Sequence, residues 1–403
     1  MRTAGEAPAA EVGVATRRTA LAVLERVQDD GAFANIALGA ALDRSGLDER
    51  DRALVTDLVY GSLRHRRSCE YLAGRFLSES PPPVAERALL LGTYQLVYRD
   101  DIPKYAAVSA TVSAAPKRYR GLVNAVLRRV GDSEVAFPDE ATELSYPDWM
   151  LHLLLEDLGH DRAIEALRSM NEPASVHTRD DGYVQDPAST QVAEHLMGLL
   201  DGEGFEDPLV YDLCAAPGGK ATAIAAGAGA TVLAADNRRG RVGLIVANRT
   251  RLAAHDVLPM VMDATCPALR PATAHAVLID APCSGLGVLR RRPDARWRIE
   301  ESAPARLAEL QRSMVDAAVP LVAPGGVLMY SVCTLTAVES LGVAEHVAQR
   351  WDHLDPLPVT GGRWEPWGSG ALLVPQSCGT DGMAVFAWRV GQLPSGRTDV
   401  TSS

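Results

Sequence analysis

The chain has 403 residues, of which 47% are hydrophobic and 23% are charged, and this composition predicts a globular protein with two or three domains. It contains no apolar run of about 18 residues and begins without the basic-then-apolar pattern of a secretory signal, so we expect a cytoplasmic protein. Its net charge of −11 argues against binding to nucleic acid through bulk positive charge.

The cysteines are spread along the chain without any CxxC pair, which favours neither a zinc site nor a framework of disulfides. We therefore expect no metal. Each thiol is predicted to be either a small buried residue or a reactive group at a particular place. The six cysteines are Cys69, Cys214, Cys266, Cys283, Cys333 and Cys378.

Because the chain is acidic, any contact with RNA has to be local. Three groups of basic residues are candidates for such contacts, and the alternative for each group is an ordinary solvated surface, since arginine is mostly exposed in proteins. The groups are Arg64, Arg66 and Arg67; Lys117, Arg118 and Arg120; and residues 290–292 with Arg296 and Arg298.

Residues 16–133 have the apolar periodicity of a small all-helical domain, with Leu24 on one predicted helix face and Leu58 on another. Pro83 suits the first turn of a further helix. Residues 1–15 are predicted to be a flexible tail. A polar connector, residues 134–183, follows the domain and is built around one predicted helix at 147–170.

From residue 184 to 393, short apolar runs that end in polar or glycine-rich turns alternate with helical stretches. This alternation is expected of a parallel sheet flanked by helices, an α/β domain. Residues 394–403 are predicted to be a second flexible tail. The predicted strands are 209–212, 231–235, 275–279 and 327–331.

The first predicted strand ends in an acidic residue and a turn of small side chains, where a backbone can approach a ligand and a helix start offers free N–H groups. The next strand leads to Asp236, a position suited to a ribose diol. These features favour a nucleoside-containing cofactor, and because neither GxxxxGK[ST] nor GxGxxG is present, that cofactor need not be a phosphate compound. The turn comprises Cys214, Ala215, Ala216, Pro217, Gly218, Gly219 and Lys220.

Cys283 and Cys333 each follow a predicted strand, and Asp280 precedes Cys283. Ligands of open α/β sheets bind at these strand ends, so two thiols and a carboxylate are predicted to converge on one substrate. A thiolate that adds to carbon 6 of cytosine makes carbon 5 able to take a methyl cation, while a carboxyl group can hydrogen-bond to ring nitrogen 3. The alternative is that either cysteine is only a small buried residue.

These segments resemble the Sun/Fmu-type RNA (cytosine-C5)-methyltransferases over nearly the whole chain. The resemblance rests on residues 213–220, 280–287 and 379–382 with Pro375, and on residues 124–128, which are similar to the close of a NusB-like domain. It implies an all-α NusB-like RNA-binding domain followed by an α/β Rossmann-like class I methyltransferase domain. It also implies S-adenosyl-L-methionine as the cofactor and RNA, in particular small-subunit ribosomal RNA, as the substrate.

The resemblance implies roles for individual residues. Cys333 matches the nucleophile that forms the covalent adduct, and Cys283 matches the cysteine that helps to release the product. Asp280 matches a residue shared by the cofactor and the base. The implied cofactor residues are those of the turn from Cys214 to Lys220, with Asp236 on the ribose, Asp263 on the adenine side, and Arg241.

The chain departs from the family pattern in its nucleophile segment and in its connector. Val332, Ala337 and Ser340 stand where relatives commonly have threonine, proline and asparagine, although Glu339 remains. The RNA-contacting subdomain that relatives carry before the sheet is shortened to residues 173–183. These departures bear on the identity of the substrate more than on the type of reaction.

Two alternatives remain open at this stage. The same chemistry directed at transfer RNA or a small specialised metabolite would suit the short connector and the acidic charge. A non-catalytic RNA-binding or ribosome-assembly protein is the other alternative, because NusB-like domains bind RNA without chemistry. Retention of Asp280, Cys283 and Cys333 argues against it.

Overall fold

The computed structural model describes residues 9–391, which divide into two compact units. The first unit ends at His152 and also contains the later segment Leu289–Arg298, whereas the second contains Leu153–Val288 and the chain from Ile299 onward. Residues 1–8 of the predicted amino-terminal tail and the whole of the predicted tail 394–403 lie outside the described residues.

The first unit is helical, and two apolar clusters form its core. Leu24 and Leu58, which mark two of the predicted apolar faces, are fully buried. The helix predicted after the proline run begins at Pro83, where a missing N–H costs nothing. The helices are α1 (Ala9–Gln28), α2 (Ala34–Ser45), α3 (Glu49–Arg64), α4 (Arg66–Gly74), α5 (Pro83–Tyr98), α6 (Lys104–Ala114), α7 (Arg120–Asp132) and α8 (Glu140–Leu144), and α9 (Asp148–Leu158) crosses the unit boundary.

The predicted flexible tail of residues 1–15 is too long, because α1 begins at Ala9. Residues 9–15 include three alanines, which are strong helix formers, and no proline. Gly13 costs a helix only about 1 kcal/mol relative to alanine. That cost is too small to end a helix whose later turns bury Ala20 and Leu24.

The single helix predicted at residues 147–170 is in fact two helices, α9 and α10 (His160–Ser169). They are separated by Gly159, whose φ of 80° lies outside the helical region and favours glycine. Apolar periodicity continues across the break, since Leu154 and Leu167 are both fully buried. The pattern of apolar residues alone therefore does not reveal the break.

The segment Leu289–Arg298 belongs to the first unit, although its sequence position lies inside the predicted methyltransferase domain. Its Arg296 is fully buried and donates hydrogen bonds to the backbone oxygens of Arg64 and Ser145, at 3.0 and 3.1 Å. The Tyr146 hydroxyl accepts another at 3.1 Å. A buried arginine is stable only with such hydrogen-bond partners. These partners are so distant in the sequence that the sequence does not reveal them.

Two of the three predicted basic groups are therefore partly internal, although Arg292 and Arg298 of the third group are exposed. Arg64 and Arg290 are each 5% exposed, and the Arg64 guanidinium donates to the Arg290 backbone oxygen at 3.1 Å. Arg67 is half-buried and bonded within the helical unit. Lys117 and Arg118 are exposed, so the middle group keeps two side chains that can meet an RNA phosphate.

Within residues 9–391, the second unit is built on one nine-stranded sheet. Its strands are β1 (Leu209–Asp212), β2 (Thr231–Asp236), β3 (Val257–Val261), β4 (Ala274–Asp280), β5 (Val322–Val332), β6 (Leu354–Leu357), β7 (Glu365–Trp367), β8 (Gly370–Leu373) and β9 (Met383–Val390). The order is β3-β2-β1-β4-β5-β9-β8-β7, and β6 also pairs with β9. The first five strands in this order are parallel, and the four predicted strands are β1, β2, β4 and β5.

The rest of the second unit completes the α/β architecture. Strand β9 pairs antiparallel with β5, and β6 and β8 each pair antiparallel with β9. These antiparallel strands are not predicted from the sequence. Val210, Leu278 and Met329 from the parallel strands are fully buried in its core. Its helices after α10 are α11 (Pro187–Glu203), α12 (Gly219–Ala228), α13 (Arg239–Arg251), α14 (Ala303–Ala318), α15 (Leu341–Arg350) and α16 (Pro375–Cys378).

Candidate active site

Four parallel strands end at one edge of the sheet, and the predicted site residues lie at these ends. Strand β1 ends at Asp212, β2 at Asp236 and β4 at Asp280, while β5 ends one residue before Cys333. Because β2, β1, β4 and β5 are neighbours in that order, these ends lie side by side. Open α/β sheets bind their ligands at this edge.

The turn between β1 and α12 contains the predicted cofactor loop. Gly218 precedes α12 with a φ of 106°, which residues with a side chain rarely adopt. Ala215 N donates to Ala235 O at 2.7 Å and ties the turn to β2. A Cβ on Gly219 would lie 2.8 Å from the Tyr183 ring. The turn therefore depends on both glycines and presents the free N–H groups of a helix start.

Asp212 and Asp236 are buried carboxylates beside this turn. Burial, and after it the neighbouring Asp280 carboxylate, raise the pKa of Asp212 to about 7. Asp212 Oδ2 has no hydrogen-bond partner within residues 9–391. Asp236 Oδ1 accepts from Arg238 N at 3.0 Å, and its Oδ2 lies 3.3 Å from Nε of Arg241.

Asp212→Asn should stabilise the ligand-free chain at about pH 8 and change its stability much less at about pH 5. A carboxyl whose pKa is about 7 when folded, against about 3.9 when unfolded, destabilises the fold progressively as the pH rises between those values. Asparagine carries no charge to bury. Thermal melts of both proteins across this range check the expectation, and a difference independent of pH would contradict it.

Lys220, which is buried in the first turn of α12, forms an ion pair with the half-buried Asp280. Lys220 Nζ lies 2.7 Å from Asp280 Oδ2, and Ser331 Oγ donates to Oδ1 at 2.8 Å. Burial lowers the pKa of Lys220, but its ion pair with Asp280 outweighs burial, and the net pKa is raised. The ammonium therefore stays charged and fixes the orientation of the Asp280 carboxylate.

The two predicted thiols are in direct contact. Cys283 Sγ and Cys333 Sγ lie 3.2 Å apart, although 50 residues separate them in the sequence. The hydrogen bond to Cys333 and burial raise the pKa of the Cys283 thiol. Cys283 therefore keeps its proton at neutral pH, beside a second sulfur that can act as a nucleophile.

The other predicted cofactor residues lie around the same edge. Arg241 on α13 donates to Ala216 O at 2.9 Å, so it braces the turn as well as pairing with an aspartate. Burial raises the pKa of the Cys214 thiol, which argues against a reactive role. Asp263 is exposed two residues beyond β3, and its Oδ1 accepts from Thr265 N and Oγ1 at 2.8 and 2.7 Å.

Two residues that brace the cofactor loop, Arg179 and Tyr183, are not predicted from the sequence. Arg179 Nη1 donates to Gly219 O at 2.6 Å, and its Nη2 lies 3.3 Å from Thr222 Oγ1. The Arg179 guanidinium also stacks 4.9 Å from the centre of the Tyr183 ring. Part of the segment 173–183 thus packs on the start of α12. No local pattern distinguishes Arg179 from a surface arginine.

Comparison with known proteins decides the family. Residues 200–388 match the family model described as 16S rRNA methyltransferase RsmB/F, and residues 14–132 match the NusB family model. The Thermus thermophilus protein named ribosomal RNA small subunit methyltransferase B is 36% identical over 85% of this chain and 89% of its own length. This chain belongs to the RsmB/F methyltransferase family. The predicted family is thereby confirmed.

Further relatives extend this result to the fold. The Erwinia tasmaniensis protein named ribosomal RNA small subunit methyltransferase B is 31% identical, over 91% of this RsmB/F chain and 96% of its own length. The crystal structure of PH0851 superposes with a TM-score of 0.75 over 95% of this chain and 99% of that chain, at 19% identity. The predicted NusB-like domain followed by a Rossmann-like methyltransferase domain is confirmed.

Two kinds of feature are absent from residues 9–391. No group of three or more histidine, cysteine, aspartate or glutamate side chains in this range is arranged to hold a metal ion. No helix in the same range combines the length and the apolar character needed to cross a membrane.

Proposed function

We propose that this chain transfers the methyl group of S-adenosyl-L-methionine to carbon 5 of a cytosine in small-subunit ribosomal RNA, through a covalent Cys333 adduct. The observation that carries the proposal is the contact of the Cys283 and Cys333 thiols at 3.2 Å, at the strand ends where the cofactor loop also lies. Relatives named for small-subunit ribosomal RNA support RNA as the substrate class.

The residues at the ends of β1 and β2 fit the cofactor. S-adenosyl-L-methionine carries an ammonium group, and the buried Oδ2 of Asp212, unpartnered within residues 9–391, is an acceptor suited to it. Asp236 is a buried carboxylate suited to two ribose hydroxyls. The glycine turn admits backbone contact. The bound cofactor supplies an electrophilic methyl group.

Asp236→Ala should weaken binding of S-adenosylhomocysteine by about 1–3 kcal/mol, the range for hydrogen bonds to a charged group. Calorimetric titration of the full chain measures this loss directly. Asp256→Ala is the matched control, because Asp256 is an exposed carboxylate just before β3. If both variants bound with wild-type affinity, Asp236 would not be part of the site.

The side chains divide the cytosine chemistry among them. The Cys333 thiolate adds to carbon 6, and the displaced electron pair moves toward carbon 5 and ring nitrogen 3. The Asp280 carboxyl group accepts hydrogen bonds from Lys220 and Ser331, so Lys220 lies beside it at the strand end where the base would bind. The Lys220 ammonium is then the donor that stabilises negative charge on ring nitrogen 3.

Release of the product needs a second step at the same sulfur. After the methyl group is in place, a water molecule takes the proton from carbon 5, the electron pair of that C–H bond restores the double bond between carbons 5 and 6, and Cys333 Sγ leaves carbon 6 as a thiolate. Cys283 contacts that sulfur and carries a proton, so it assists this elimination. Two neighbouring thiols therefore serve opposite halves of one cycle.

Bisulfite sequencing of total RNA from a deletion strain and its parent tests the proposal. A cytosine of small-subunit ribosomal RNA should lose its protection in the deletion strain and regain it with the wild-type gene, but not with a Cys333→Ser gene. Loss of protection in transfer RNA instead would identify transfer RNA as the substrate. No change in any RNA would favour a small metabolite.

A further inference from the structure

Glu339 is a fully buried carboxylate that the mechanism above does not use. Its Oε1 accepts from Ser284 N at 2.8 Å and from Gln311 Nε2 at 3.1 Å. Its Oε2 accepts from the hydroxyls of Ser284 and Thr336. An ionised carboxylate only accepts hydrogen bonds, and these four donors suit that form.

These donors include residues from both loops that carry a thiol. Ser284 is adjacent to Cys283, and Thr336 follows Cys333 by three residues. The Glu339 side chain therefore bonds one loop through a backbone N–H and a hydroxyl, and the other loop through a hydroxyl. Hydrogen bonds to a charged acceptor are about twice as strong as neutral ones. Glu339 is thus a charged connection between the two loops, which are also joined by Ser284 Oγ and Thr334 Oγ1 at 3.0 Å and by Gly287 N, which donates to Cys333 O at 3.1 Å.

We propose that Glu339 is a positioning residue that holds the Cys283 turn against the Cys333 loop, so that the two sulfur atoms stay in contact. A loop without such a connection samples more backbone conformations, and bringing two sulfurs together from that ensemble costs entropy. The negative charge of Glu339 also adds to the causes that raise the pKa of Cys283, after the Cys333 hydrogen bond and burial. The catalytic consequence of this positioning rests on the proposed function, whereas the contact itself does not.

A merely structural carboxylate would lower stability when removed but would leave the sulfur contact intact in the folded protein. The rate at which the two thiols close to a disulfide separates these cases. Diamide takes up the two electrons and two protons that the thiols lose, and peptide mapping of the Cys283–Cys333 product follows closure in the folded chain. The rate reports how often the two sulfurs meet.

Glu339→Ala should slow closure by about tenfold or more, because the effective concentration of one thiol at the other depends on their relative orientation. Glu339→Gln should recover part of the rate, since its oxygen can still accept from Ser284 N while its amide faces hydroxyls that can turn to accept. Asp316→Asn is the control. Asp316 accepts from Trp351 Nε1 at 2.8 Å and contacts neither thiol loop, so closure should be unchanged.

Wild-type closure in a folded Glu339→Ala protein would overturn the inference. If that variant does not fold, the double variant Glu339→Gln with Thr336→Val, which keeps the Ser284 bond to Thr334, carries the same test. Slower closure of that double variant supports the inference, and an unchanged rate overturns it.

The outcome for the proposed function is read separately. Fast closure in the wild type without any RNA adduct would remove the proposed function and leave the positioning role. An RNA adduct in the wild type, together with unchanged closure in every Glu339 variant, would support the proposed function and remove the positioning role.

Discussion

Cys333→Ser should lower methyl transfer to RNA by about a thousandfold or more and leave no covalent complex. A serine hydroxyl without a strong base is a far poorer nucleophile than a thiolate, so the attack on carbon 6 fails. Transfer of a labelled methyl group to RNA measures the loss. Affinity for S-adenosylhomocysteine should be unchanged, because serine is nearly the same size, and retained turnover would remove Cys333 as the nucleophile.

Cys283→Ser should instead trap the protein on RNA as a band that survives a denaturing gel. The bond to Cys333 still forms, but the neighbour that assists its cleavage has lost its thiol. Cys266→Ser, at an exposed cysteine, is the control and should give no band.

Other outcomes of this pair of variants are equally informative. A trapped band from Cys333→Ser would mean that the two thiols exchange roles. If both were only packing residues, each variant would lose modest stability and neither would give a trapped band.

Four strands of the parallel part of the sheet are predictable because each contains a short buried run with a clear end, whereas the edge strand β3 is not predicted and three of its five residues are exposed. Strand β1 has the predicted bounds, and β2 differs from its prediction by the addition of Asp236 alone. Buried parallel strands are continuously apolar and stop where the polar site residues begin. The same reasoning fails for β9, whose 383–390 run pairs antiparallel and has no alternation that would reveal its direction.

The internal arginines are not predictable from a local pattern. From the sequence, Arg296 and Arg64 are predicted to be surface charges. In the fold they are hydrogen-bonded to each other, although they lie 232 positions apart in the sequence. The burial of these arginines depends on residues that are distant in the sequence. The sequence therefore suggests contact with RNA where the structure shows hydrogen bonds inside the protein. The exposed side chains of the predicted groups, which are the part of that hypothesis that remains, are Lys117, Arg118, Arg292 and Arg298.

Two of the three departures from the family pattern in the nucleophile segment, Ala337 and Ser340, make hydrogen bonds of their own, whereas nothing in the structure explains Val332. Ala337 N donates to Asp157 Oδ2 at 2.8 Å, a bond that proline at this position would lack. Ser340 Oγ donates to Thr336 O at 2.6 Å and accepts from Trp367 Nε1 at 2.9 Å. The changed residues therefore bring their own hydrogen bonds, and the loop after the nucleophile stays fixed.

The most direct test of the covalent mechanism uses RNA in which 5-fluorocytidine replaces cytidine. Fluorine at carbon 5 cannot leave as a proton does, so the adduct formed in the presence of S-adenosyl-L-methionine cannot eliminate. Proteolysis and mass spectrometry of the trapped complex identify the modified peptide. The covalent mechanism predicts a nucleotide on Cys333. A nucleotide on Cys283, or no adduct with small-subunit ribosomal RNA, would contradict it.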